Sequence, residues 1–105
     1  MAQFSVYANH NAATRDQFPY LLNVQNDLLG ILQTCVVVPL TLATKVGYHA
    51  MGRLTPVLTV RGGQYLMMTP QLAGIAKREL GEEIESLADA RLEIIAAMDF
   101  LLSGV

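Results

Sequence analysis

Three kinds of residue in this chain have types and spacings that could do chemistry: one cysteine, two histidines and a cluster of glutamates. Cys35 could act as a nucleophile with His10 or His49 as its base. Its neighbours oppose that role. Val36, Val37 and Val38 follow at once, and a thiol buried in such a strand has a raised pKa and is inert. His10 falls in a polar loop and His49 in an irregular segment, so the imidazoles and the thiol lack the close spacing of a metal site. No metal and no cofactor are expected. Glu79, Glu82, Glu83 and Glu85 crowd together. Paired carboxylates can divide acid and base roles when burial separates their pKa values. Beside Lys77 and Arg78, however, these read as a solvated connector placing negative charge ahead of a helix N-terminus.

The elements that would have to position such groups can be read in order. Gln3–Ala8 alternates apolar and polar residues, as a half-buried strand does. Asn9–Asp16 reads as a loop and Tyr20–Val24 as a second strand, with Pro19 at its start. Gln25-Asn26-Asp27 is turn-like. Leu28 and Leu29 follow immediately and are either a core plug or an exposed contact patch. Thr34–Leu40 is rich in valine and reads as a central strand whose regular pairing Pro39 ends. Leu42–Thr55 reads as irregular. Val57–Arg61 and Gln64–Met68 flank Gly62-Gly63, which is a hairpin signal and not a phosphate loop. Of Met67 and Met68, on opposite faces of that strand, one suits the core and the other an adaptable interface. Leu72–Ala76 forms another short strand, and Arg78–Glu85 a charged connector turning at Gly81.

The last segment changes period. Ser86 is placed as an N-cap with Asp89 three residues on. Ile94, Ile95, Met98, Leu101 and Leu102 fall on one helical stripe, and Gly104 ends the helix. The expected fold is mainly β with one C-terminal α-helix: a small, partly open barrel over residues 1–85 and a helix over 87–102, in a single domain spanning 1–105. The helix end is unusual. Asp99 sits where the dipole disfavours an anion, and Phe100-Leu101-Leu102 carries apolar surface almost to the terminus, where fraying would expose it. Such a terminus is either docked or used as a contact.

Bulk composition agrees with a contact role. Of the 105 residues, 52% are hydrophobic and 15% charged, with a net charge of −2; about 25% charged is typical. That leaves more apolar surface than one small core hides, which points to a partner. The seven basic residues are scattered, so the basic stripe of a direct nucleic-acid binder is missing. No apolar run approaches the ~18 residues of a membrane span, and no signal peptide is evident. A cytoplasmic location is expected.

Taken as an ordered set, several segments resemble one family. They are Gln3-Phe4-Ser5-Val6-Tyr7, Asn23–Leu29, Val36-Val37-Val38-Pro39-Leu40, Pro56-Val57, Met67-Met68-Thr69, Gly81-Glu82-Glu83, and Ile94 through Asp99-Phe100-Leu101-Leu102-Ser103-Gly104-Val105. Together they are similar to CcdB, the toxin of CcdA–CcdB toxin–antitoxin modules. The resemblance implies an SH3-like barrel, a cytoplasmic homodimer, and a target in the A subunit of DNA gyrase, poisoned by contact and not by catalysis. It implies gyrase contacts at Leu28, Leu29, Asp99, Leu102, Ser103, Gly104 and Val105. It also implies a CcdA-like antitoxin landing near Asn9, His10, Asn11, Arg15 and Phe18, with operator DNA reached only through that antitoxin. The best-known member has a tryptophan where this chain has Ser103, and an asparagine at Asp99. Losing a stacking aromatic from a hot spot costs on the order of 2 kcal/mol or more. Two other classes remain open. A MazF-like endoribonuclease would need an arginine with an acid or threonine, and Arg15, Arg53, Arg61 and Thr69 form no recognisable constellation. A non-toxic homologue that only binds an antitoxin is the third.

Overall fold

The computed structural model describes residues 2–44 and 51–104. His49, Val105 and the glycine at position 47 lie outside the described residues. Among the described residues, seven strands are followed by one helix: β1 (Ser5–Asn9), β2 (Tyr20–Asn23), β3 (Thr34–Leu42), β4 (Val57–Val60), β5 (Gly63–Met67), β6 (Ala73–Ala76), β7 (Leu80–Ser86) and α1 (Arg91–Ser103). The strands form one antiparallel sheet in the order β4-β5-β3-β2-β1-β7, with β6 paired to β3. The sheet curls into an open half-barrel closed by the helix, the mainly-β architecture expected from the sequence.

Local chemistry sets the boundaries. Phe4 has φ +69°, a left-handed conformation that breaks the extended run, so β1 starts at Ser5. β2 stops at Asn23, whose buried Oδ1 accepts from the Gln25 N–H at 3.0 Å and turns the chain. β3 does not end at Pro39 but continues to Leu42. One edge of β3 pairs first with β6 through Val37 and then with β5 from Leu40. Pro39 sits at that changeover, where its missing N–H deprives no partner. Its carbonyl accepts from the Met68 N–H at 3.0 Å. The β4–β5 hairpin turns on Arg61 and Gly62, with φ +48° and +80°, while Gly63 pairs with Val60. Both central residues have positive φ, as a primed two-residue turn requires.

The largest difference from expectation is β7. The acidic stretch is a strand paired to β1, with Tyr7 opposite Glu83 and Asn9 opposite Leu80 across two register shifts. It lies at the sheet's edge, where charged side chains discourage pairing with another chain. The helix also begins later than the capping pattern implies. Ser86 Oγ accepts from the Ala88 N–H at 3.2 Å, but this opens a 3-10 turn at Ala88–Ala90, and α-helix starts only at Arg91.

Strand alternation gives the sheet two apolar faces. Val6, Leu22, Val38, Leu40 and Met67 face Ile94 and Ala97 of α1 and form the main core. Tyr7, Leu21, Cys35, Val37 and Leu80 form a smaller core on the other face. Among the described residues, no helix is long and apolar enough to cross a membrane.

Candidate interaction surfaces

The exposed end of α1 is built from satisfied backbone and unsatisfied side chains. Ile94 and Ala97 bury the inner face, and the helix packs on the 3-10 turn Thr69–Gln71. Gly104 adopts φ +75° and its N–H donates to the Phe100 carbonyl at 2.9 Å, the left-handed cap expected of that glycine. Ser103 Oγ donates to the Asp99 carbonyl at 2.7 Å. The backbone is therefore well terminated. Leu102 nevertheless stands 78% exposed, with Phe100 and Leu101 partly so. Only part of the anticipated stripe is core: Ile94 is buried and Ile95 and Met98 are half-buried, whereas Leu101 and Leu102 face outward.

A second surface follows β2. Asp27–Leu29 form a 3-10 turn capped by Asn26, whose Oδ1 accepts from the Leu28 N–H at 2.8 Å. Two further side chains clamp its backbone, and the turn's own Asp27 ties it to the chain's start. Gln25 Nε2 donates to the Leu29 carbonyl at 3.4 Å and Lys77 Nζ to the Gly30 carbonyl at 2.6 Å. Asp27 Oδ1 accepts from the Gln3 N–H at 2.7 Å. Held this way, Leu28 is 88% exposed and Ile31 89%, with Leu29 and Leu32 also open. The leucines are a patch and not a plug. Ile31 and Leu32 extend the patch beyond the expected Leu28 and Leu29, and the continuing pattern Leu-Leu-Gly-Ile-Leu is the sequence signal for them. The helix end and this patch are anchored by different neighbours.

The first loop is a third surface. Asn9 is buried and organises it: Nδ2 donates to Thr14 Oγ1 at 3.0 Å and to the Phe18 carbonyl at 2.8 Å, while Oδ1 accepts from the Asn11 N–H at 2.9 Å. Phe18 is buried, whereas His10, Asn11 and Arg15 are exposed. Between this loop and β6 runs a groove of about 200 Å³ floored by Leu21, Val37, Pro39 and Ile75.

Among the described residues, the reactive groups do not converge. Cys35 is 1% exposed, with Sγ 2.9 Å from Asn23 Oδ1, and burial pushes its thiol pKa up. No group of three or more His, Cys, Asp or Glu side chains suited to a metal occurs among the described residues. Arg15, Arg53 and Arg61 lie on three different loops and turns, and Thr69 is closed to solvent, its Oγ1 directed to the Met67 carbonyl at 3.4 Å.

The model of the family described as CcdB protein matches residues 3–104. The chain belongs to the CcdB family. A CcdB is the toxin partner of a CcdA–CcdB module, and the match covers every element described above. Among solved structures, an endoribonuclease in complex with its cognate antitoxin from a mycobacterial species is similar in fold: TM-score 0.75, 17% identity, 97% of this chain and 94% of that one. In this CcdB, the family-implied positions Leu28, Leu29, Asp99, Leu102, Ser103 and Gly104 all lie on exposed turns or the exposed helix end. Arg53, weighed above only as an endoribonuclease arginine, is an addition to this end. Its guanidinium carbon lies 5.5 Å from the centre of the Phe100 ring, beside that end.

Proposed function

We propose that this CcdB is a type II toxin that acts as a homodimer on the A subunit of DNA gyrase and traps the enzyme with its DNA cleaved. The action is by contact and not by catalysis. The observation that carries the reading is Leu102, exposed at the tip of a helix whose inner face is locked in the core. A rigid element presenting apolar side chains is preorganised for a protein surface, because little conformational freedom is lost on binding. Two copies about a two-fold axis would present two such tips to the target. A CcdA-like antitoxin would neutralise the toxin in the cytoplasm. The groove beside Phe18 offers an apolar floor for a segment that orders as it binds.

Controlled expression separates this reading from its rivals. The expected result is growth arrest with chromosomal breaks that depend on gyrase, and a long RNA incubated with pure protein stays intact. Discrete RNA fragments would favour the endoribonuclease reading, and normal growth would favour an antitoxin-binding homologue without toxicity.

A further inference from the structure

Helix α1 is apolar on two faces. Ile94, Ala97 and Met98 face the core, while Leu92, Ala96 and Phe100, at positions i, i+4 and i+8, share a different face. Leu92 is 81% exposed. An apolar helix face open to water is normally covered by something.

The neighbouring turn is rigidly held. The Leu54 N–H donates to the Met51 carbonyl at 3.1 Å. The Met51 N–H donates to Oγ1 of buried Thr55 at 2.6 Å, and the Pro56 carbonyl accepts from the Met67 N–H of β5 at 2.9 Å. This turn places Arg53 over the Phe100 ring. Between turn and helix lies a groove of about 380 Å³, lined by Gly52, Arg53, Pro56, Leu92, Glu93 and Ala96. Among the described residues, Arg53 makes no hydrogen bond or ion pair, and its ring contact with Phe100 is the interaction that positions it. A guanidinium over a ring keeps N–H donors for a carboxylate.

We infer that the Arg53–Phe100 pair and the groove beside it extend the target-binding surface of the helix end, receiving an apolar side chain next to a carboxylate on the same target protein. Charge selects that chemistry: Arg53 attracts the acid at one side of the groove, and Glu93 repels one at the other. The pair also supplies flat, polarisable surface one helical turn before Ser103, the position that lacks an aromatic. The inference rests on the gyrase reading for the identity of the target.

The test is binding of the purified gyrase A subunit to the wild-type protein and to Arg53→Gln, Leu92→Ser and Leu102→Glu, each first shown to melt like the wild type. Arg53→Gln and Leu92→Ser are expected to weaken binding about tenfold each, and the Arg53 effect shrinks as salt rises. If both variants bind as the wild type does while Leu102→Glu does not, the surface ends at the helix tip and the inference is wrong. If the wild-type protein itself fails to bind, the gyrase reading falls and takes the inference with it.

Discussion

The hydroxyl of Ser103 donates to the carbonyl of Asp99 at 2.7 Å, one turn back along the same helix. At the position where the best-known family member has an aromatic, this chain has a small side chain already bonded to its own backbone. In the proposed gyrase contact, the energy at the tip comes from apolar neighbours, Leu102 first.

Truncating two large aliphatic side chains of this helix should therefore have opposite consequences. Leu102→Ala leaves stability within about 0.5 kcal/mol, because the side chain is exposed, but lowers gyrase poisoning. Ile94→Ala, at a fully buried core position, costs about 3 kcal/mol through lost transfer energy and a cavity. Denaturant midpoints and a cleavage assay on the same preparations check both.

Ser103→Trp should strengthen the target contact. It restores a stacking surface at a position where the serine bond to Asp99 contributes only about 1 kcal/mol. An increase of about tenfold in gyrase affinity is expected, read as a lower protein concentration for half-maximal cleavage. Unchanged or weaker binding would show that this helix tip meets its target in another orientation.

Burial periodicity makes part of this fold legible in the sequence, and tertiary contacts conceal the rest. Alternation in Ser5–Asn9, the valine run in β3 and the turn before β5 were visible because burial imposes a period of two. The glutamates of β7 hid a strand, since an edge strand is allowed the charges that usually mark a connector. Pro39 looked like a terminus because its tolerance depends on β6 giving way to β5, a tertiary fact. The exposed leucines were identified as an alternative, and the clamps from Gln25 and Lys77 decided it. Arg53 against Phe100 was invisible, because nothing local links a turn to a helix so far along the chain.

Asn9 is the residue on which the first loop depends. Asn9→Ala leaves Thr14, Phe18 and Asn11 without their shared partner and should cost about 2 kcal/mol. Faster amide exchange confined to the loop following β1 is the signature to look for. Exchange rates matching the wild type would contradict this role.

Gly81 is constrained by contact and not by backbone angle. A methyl group there would lie 2.6 Å from His10 Nε2 and 2.9 Å from the Ala8 Cβ. Gly81→Ala should displace the imidazole and destabilise the fold by about 1–2 kcal/mol. Adding His10→Ala should recover part of that loss, which a double-mutant cycle measures.

Alkaline pH should weaken the fold. Burial is the largest cause raising the pKa values of Cys35, Tyr7 and Tyr65. Below the ordinary values both folded and unfolded states hold these protons, and these three groups leave stability unchanged. Toward and above about pH 8.5, where an unfolded cysteine is half ionised, the unfolded state holds fewer protons than the native one and stability falls. Urea midpoints from pH 7 to 10 should decline, with the early part of the decline reduced in Cys35→Ser.

The most direct measurement incubates the purified protein with gyrase, supercoiled plasmid and ATP, followed by detergent and protease. Linear DNA should accumulate with toxin concentration, and Leu102→Glu at equal concentration should yield little. Supercoiling that proceeds without linear DNA across a wide range of wild-type toxin would contradict the account.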